Sequence, residues 1–118
     1  MELRERQAGN VTVIDFSGDG VGSEPSALKP LVQSVLNRGV RRIVFNVAQL
    51  QNMDSTCVGE IFASYKAVVS SGGDLKLAHP DGHVRRLLRV TKVDTFVRLY
   101  DSEEDAIASF DAVGTRTP

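Results

Sequence analysis

Residues 43–61 read IVFNVAQLQNMDSTCVGEI, and this stretch decides how the rest of the chain is interpreted. Its first five residues form a nearly continuous apolar run, which is typical of a strand in the middle of a parallel sheet. After a short connection, Asp54 can cap a helix whose first turn contains Ser55 and Thr56. Backbone N–H groups in that turn have no partner inside the helix, and the helix dipole favours negative charge there. The sequence therefore predicts two hydroxyl groups where a phosphoryl group can be held.

Upstream of this stretch, the pattern predicts a hairpin and a helix. Val11–Phe16 alternates apolar and polar residues, and a short first strand is expected over Leu3–Gln7. The Gly-Asn turn between the two segments is typical of two antiparallel strands. Ser23 is then predicted to cap a helix that has Pro25 in its first turn and ends at Gly39. The strand beginning at residue 43 would follow this helix.

Downstream, helices and strands continue to alternate. The helix after Asp54 is predicted to bury the face carrying Val58, Ile61, Phe62, Tyr65 and Val69. Three further elements are expected: the strand Leu75–Ala78, the helix Asp81–Val93 and the strand Phe96–Tyr100. Ser102 is then predicted to cap a last helix. The predicted fold class is therefore α/β, a single domain with a mixed central sheet of about five strands and about four helices. Only the first hairpin would be antiparallel, and the rest would be mostly parallel.

The composition is that of one globular domain. The 118 residues are 42% hydrophobic and 25% charged, with a net charge of −1, so no overall field favours nucleic acid or an anionic membrane. Cys57 is the sole cysteine and cannot form an internal disulfide, which favours a reducing, cytoplasmic setting. The first residues lack the apolar core of a signal peptide, and no apolar run reaches the roughly 18 residues of a membrane span.

The order of elements and the letters after the central strand resemble the STAS domain family, of the anti-sigma-factor antagonist type. The family motif is Asp-Ser-Ser/Thr-Gly-x-Gly, and the matching residues are Asp54, Ser55, Thr56 and Gly59, with Cys57 in place of the first glycine. The resemblance covers about residues 3–110. It implies a STAS domain over residues 1–112 and a flexible tail over 113–118.

By the same resemblance, Ser55 is the residue that a partner would phosphorylate, with Thr56 as a secondary acceptor. The implied partner is an anti-sigma factor that is a serine kinase with a histidine-kinase-like fold, and a serine phosphatase would reverse its action. The unmodified chain would bind that anti-sigma factor and so release a sigma factor. The implied contact residues are Asp19, Asp54, Ser55, Thr56, Glu60 and Lys66. The chain would be neither an enzyme nor a cofactor protein, because ATP and magnesium would belong to the partner; a homodimer is left open.

Other interpretations stay open at the level of sequence. Ser55 and Thr56 are also ordinary residues for the start of a helix. The chain could instead be an unphosphorylated STAS subunit of a signalling scaffold or of a lipid-transport ATPase, and the Cys57 departure favours that reading. A reactive thiol at Cys57 is a third hypothesis, although its register with Ile61, Ser64 and Val68 favours a packed core residue.

Three remaining features are interpreted structurally. The segment Gly18–Gly22 lacks the lysine of a phosphate-binding loop, so we expect a flexible turn close to Ser55, at the same sheet end. His79 and His83 flank Pro80 and are expected at the surface rather than in a metal site. The basic residues of the third helix are expected to form a solvated face; they are Arg85, Arg86, Arg89 and Lys92.

Overall fold

The computed structural model describes residues 1–20 and 27–113. The five strands are β1 (Glu2–Ala8), β2 (Val11–Gly20), β3 (Arg42–Met53), β4 (Asp74–Ala78) and β5 (Arg98–Tyr100). The four helices are α1 (Leu28–Asn37), α2 (Ser55–Ser70), α3 (Gly82–Val90) and α4 (Glu103–Val113), and a 3₁₀ turn covers Val93–Thr95. The predicted cap at Ser23, Pro25 and the tail from residue 114 onward lie outside the described residues.

The strands form one sheet in sequence order, β1-β2-β3-β4-β5. Strands β1 and β2 pair antiparallel from Glu2 opposite Ser17 to Ala8 opposite Val11. All other neighbours pair parallel. The predicted fold class, a mixed sheet with one antiparallel hairpin and four helices, is confirmed.

The two faces of the sheet bury cores of different size. Alternate residues of β2 and β3 point to opposite sides, as in any strand. One face packs on α1, α2 and α3 and contains the larger core, in which the rings of Phe16 and Phe45 lie 4.9 Å apart. The other face packs on α4 through a smaller cluster of Val11, Val13, Val44, Ala78, Ala106 and Phe110.

Strands β2 and β3 are longer than the sequence pattern predicts. The residues from Ser17 to Gly20 pair with the segment from Gln49 to Met53, with two shifts of register on the way. The expected flexible turn over Gly18–Gly22 is therefore wrong for residues 18–20, which belong to β2. Parallel pairing supplies hydrogen-bond partners to these polar and glycine-rich residues, so an apolar pattern is not needed to extend the strands.

Helix α2 is rotated relative to the predicted face. Its buried residues are Cys57, Val58, Ile61, Ser64 and Val68, whereas Val69 is 45% exposed. The Ser64 hydroxyl donates to the carbonyl oxygen of Glu60 at 2.9 Å, which satisfies its polar group inside the core. Tyr65 and Val69, which were predicted to point inward, thus lie at the side of the buried face of α2 and not at the middle of that face.

The elements after β4 are shorter than predicted. Helix α3 ends at Val90, because Lys92 adopts a left-handed conformation with φ 64° before the 3₁₀ turn. Strand β5 begins at Arg98, so Phe96 is not a strand residue, and its side chain is 55% exposed.

A polar network fixes the start of α4 to the sheet. The guanidinium of Arg6 contacts Asp15 at 2.5 Å and Glu103 at 2.5 Å, and the Asn46 amide donates to Glu103 at 2.9 Å. The backbone N–H of Glu103 donates to Nε2 of His79 at 3.3 Å. The expectation that both histidines are plain surface residues is therefore wrong for His79, which is half-buried in this network.

Candidate functional site

The start of α2 is built by Asp54. Its backbone is extended (φ −111°, ψ 179°), and its carboxylate accepts a hydrogen bond from the Cys57 N–H at 2.9 Å. Its carbonyl oxygen accepts the helical bond from the Val58 N–H at 3.1 Å. One residue therefore stops β3, caps α2 and fixes the direction in which the helix leaves the sheet.

Ser55 and Thr56 occupy the first turn of α2, and both are exposed. The prediction of an accessible hydroxyl at a helix onset is confirmed as geometry. The positive end of the helix dipole and the first-turn N–H groups lie at this position. A phosphoryl group on Ser55 would reach solvent without disturbing the core.

The end of β2 lies beside this turn. Asp19 pairs in register with Asn52, three residues before Ser55, and its side chain is exposed. Next to it, Gly20 approaches β3 so closely that a Cβ there would lie 2.6 Å from the carbonyl oxygen of Asn52. The structure thus brings together Asp19, Asp54, Ser55 and Thr56 at one edge of the sheet.

Cys57 lies directly below this surface and points inward. Its side chain is 2% exposed, and its sulfur lies 4.0 Å from the sulfur of Met1. Burial, followed by the nearby carboxylates of Glu60 and Asp54, raises the pKa of the Cys57 thiol to about 12. The expectation from its register that Cys57 is a packed core residue is therefore confirmed, and a thiol with this pKa is not an activated nucleophile.

The remaining predicted contact residues lie further along α2. Ser55, Gly59, Phe62 and Lys66 follow at helical spacing and form one stripe along α2, in which Phe62 is half-buried and the other three are exposed. Lys66 is eleven residues from Ser55, which is about 16 Å along the axis at 1.5 Å per residue. Glu60 is half-buried on another side of the helix, near Cys57, so it does not share the stripe.

Aromatic side chains next to the stripe form a surface that sequence reasoning did not find. The Phe62 ring contacts Tyr65 at 6.3 Å and Phe96 at 5.3 Å between centroids, and Nζ of Lys66 lies 5.1 Å from the Phe62 centroid. We call Phe62, Tyr65 and Phe96 the aromatic ridge. The signal was a helical pattern with more apolar residues than one buried face can hold. Phe62 was assigned inward and is half-buried against the core, whereas Phe96 was assigned to a strand and is exposed.

The other motifs of the sequence lie elsewhere or are paired. Arg85 is half-buried and contacts Asp101 at 2.7 Å, while Arg86, Arg89 and Lys92 are exposed as expected. Within residues 1–20 and 27–113, no group of three or more acidic, histidine or cysteine side chains is arranged to hold a metal ion. None of the helices in the described part of the chain combines the length and apolar character that a membrane crossing requires.

The sequence was compared with models of known protein families. The model of the STAS domain matches residues 3–106, nearly the whole chain. The chain belongs to the STAS domain family. The recognition made from the motif around Ser55 and the order of elements is therefore confirmed.

Relatives within the STAS family include named antagonists. A protein of Thermotoga maritima, named as a candidate anti-sigma factor antagonist, is 33% identical over 72 residues, which are 61% of this chain and 64% of the relative. The aligned part thus spans less than two thirds of that relative's length. The crystal structure of an anti-sigma factor antagonist from Mycobacterium paratuberculosis is 18% identical, with a TM-score of 0.82 and 92% of each chain covered. The antagonist SpoIIAA in its unphosphorylated form is 19% identical with a TM-score of 0.74, covering 94% of this chain and 97% of SpoIIAA. At sequence identities this low, the likeness to these two solved structures shows a shared fold alone.

Proposed function

We propose that this STAS domain is an anti-sigma-factor antagonist whose binding is controlled by phosphorylation of Ser55. The unmodified chain binds a kinase-type anti-sigma factor in the cytoplasm and thereby releases a sigma factor. The partner supplies the kinase fold, ATP and magnesium, and a serine phosphatase restores the binding form. The exposed hydroxyl of Ser55 in the first turn of α2 is the observation that carries the proposal.

The position of Ser55 supports modification without unfolding. A phosphoserine carries about −1.5 to −2 charges, and a helix N-terminus stabilises negative charge. The capping bond is made by Asp54, not by Ser55, so modification leaves the helix onset intact. The names of the relatives agree with this proposal, and SpoIIAA has been solved in both the unphosphorylated and the phosphorylated form.

The same charge can abolish binding. Asp19 and Asp54 already flank Ser55, so phosphorylation concentrates negative charge at one point of a surface that the partner must desolvate. Like charges at a desolvated interface cost several kcal/mol. A loss of about 3 kcal/mol would weaken binding by roughly a hundredfold. The inward direction of Cys57 leaves room for a kinase at Ser55.

Binding of the purified kinase-type anti-sigma factor from the same organism to Ser55 variants tests the proposal. Ser55→Ala should bind like the unmodified chain, and Ser55→Glu should bind at least tenfold more weakly while keeping its melting temperature. Thr56→Glu, the matched control one residue away, should have a smaller effect. Equal binding by all variants would favour the alternative, an unphosphorylated subunit of a scaffold or of a lipid-transport ATPase.

A further inference from the structure

Within the aromatic ridge, Phe62 and Tyr65 are half-buried against the larger core, whereas Phe96 does not anchor its own segment. Val93 and Val97, on either side of Phe96, are 5% and 0% exposed and anchor the 3₁₀ turn in the core. The backbone N–H groups of Phe96 and Val97 both donate to the Val93 carbonyl, at 3.0 and 2.9 Å. Phe96 itself is 55% exposed and lies against Phe62. A contiguous apolar patch, rather than a single exposed ring, marks a binding surface, and Phe96 extends the apolar surface of the adjoining Phe62 ring.

The ridge continues the surface that carries Ser55. Phe62, which is half-buried, lies on the same stripe of α2 as the exposed Ser55 and Gly59, so one partner segment lying along α2 would touch all three. At Gly59, a Cβ would meet no atom within 4 Å, so this molecule does not require a glycine there. Because glycine has no side chain, nothing projects from α2 at position 59, between Ser55 and Phe62.

The sign of the charge changes along this surface, from negative at the Ser55 end to positive at the ridge. At the Ser55 end, Asp19 and Asp54 carry negative charge. At the ridge, the ammonium of Lys66 lies over the Phe62 ring at 5.1 Å, and exposed Lys92 precedes the 3₁₀ turn. Asp94, in the turn itself, is half-buried. The ridge thus offers apolar rings flanked by two exposed cations, which complements an apolar side chain next to a carboxylate.

We propose that the aromatic ridge, with Lys66, is the anchor that holds the anti-sigma factor over Ser55, and that it accepts an apolar side chain flanked by an acidic residue of that partner. This inference rests on the proposed function and adds to it. Binding energy would come from Phe62 and Phe96, which phosphorylation does not alter, and control would come from Ser55, seven residues before Phe62 and about 10 Å away along the helix axis. A second copy using the ridge symmetrically would instead bring Lys66 against its own copy, which like charge disfavours.

Two substitutions test the anchor without touching the core. Phe96→Ala should weaken binding of the purified kinase-type anti-sigma factor about tenfold or more, because central aromatic contacts dominate such interfaces. Lys66→Glu should weaken it about fivefold, mainly through slower association and with less dependence on salt. The melting temperature of each variant should stay close to that of the unmodified chain.

Matched controls lie outside the ridge. Arg98→Glu makes the same charge change at an exposed residue of β5 that shares a sheet face with Lys76, on the α4 side. Val90→Ala removes an apolar side chain that is 69% exposed and makes none of the ring contacts. Both should bind like the unmodified chain. A photoreactive benzoylphenylalanine at position 96 should cross-link to the partner, and one at position 98 should not.

The outcomes separate this inference from the proposed function. If the kinase binds the unmodified chain and phosphorylates Ser55, but Phe96→Ala and Lys66→Glu bind normally, the anchor is wrong and the proposed function stands. If the kinase neither binds nor phosphorylates the unmodified chain, the proposed function fails, and the anchor with it. If the chain sediments as a dimer that Phe96→Ala converts to a monomer, the ridge is a self-interface and the anchor is overturned.

Discussion

At the scale of single residues, Asp54 and Ser55 have separate tasks. The carboxylate of Asp54 satisfies the N–H of Cys57, whereas the hydroxyl of Ser55 stays exposed. A phosphorylated serine that also capped its own helix would change the fold whenever it changed the signal. Because the cap is one residue earlier, the proposed phosphorylation of Ser55 would change the charge while the helix keeps its start.

The cap can be tested on its own. Asp54→Ala should lower the free energy of unfolding by about 1 kcal/mol, because an orphan N–H of α2 loses its acceptor. Asp54→Asn is the matched control and should lose much less, since asparagine caps helices about as well as aspartate. Urea unfolding followed by circular dichroism measures both. Equal stability of Asp54→Ala and the unmodified chain would show that the carboxylate does not hold the helix.

At the scale of elements, two glycines should respond in opposite ways to the same substitution. In Gly20→Ala, the added Cβ would lie 2.6 Å from a backbone oxygen of β3 and 3.5 Å from the Cys57 sulfur, so strands or helix must shift. We expect a loss of about 1–3 kcal/mol of unfolding free energy. Gly59→Ala adds a methyl group to open space within α2 and should gain about 0.5–1 kcal/mol. Destabilisation by both would contradict the packing described for the β2 end.

The attachment of α4 should depend on pH through Glu103. The hydrogen bonds from the Arg6 guanidinium, and that from Asn46, hold the pKa of Glu103 below its usual value, against the opposing effect of burial. A carboxylate with a lowered folded-state pKa contributes stability above its unfolded pKa of about 4.3, and this contribution is lost as the pH falls through the folded pKa.

Glu103→Gln should therefore destabilise the domain at neutral pH by about 0.5–1 kcal/mol, since Arg6 and Glu103 are only partly buried. The difference should shrink as the pH falls toward and through the lowered folded-state pKa of Glu103. Glu104→Gln removes the neighbouring exposed acid of the same first turn and is the control. Unfolding free energies from denaturant titrations at pH 7 and near pH 3 measure the effect. An equal loss for both variants would show that the helix dipole, not Arg6, provides the stabilisation.

At the scale of the whole molecule, the sequence predicted the order of elements and the sheet because both follow from local patterns. The apolar run from residue 43, the Gly-Asn turn and the cap at Asp54 each act within a few residues. The extension of β2 to Gly20 was missed because it depends on pairing with a distant segment. The aromatic ridge was missed for the same reason, since the contact between Phe62 and Phe96 joins residues far apart in the chain.

In the folded molecule, the exposed first turn of α2 is attached to a sheet that is packed on both faces. The larger core holds α1, α2 and α3 on one sheet face, and the polar network with the smaller core holds α4 on the other. None of these contacts involves the hydroxyl of Ser55. Under the proposed function, a change of charge at the surface, and not a change of fold, would alter binding.

Phosphopeptide mass spectrometry of the intact chain, after incubation with the purified kinase-type anti-sigma factor and ATP, tests this account most directly. It predicts one phosphoryl group, on Ser55, and a folded product whose amide spectrum changes only near the start of α2. An unmodified Ser55, recovered from a folded chain in the presence of a kinase shown to be active, would contradict the account.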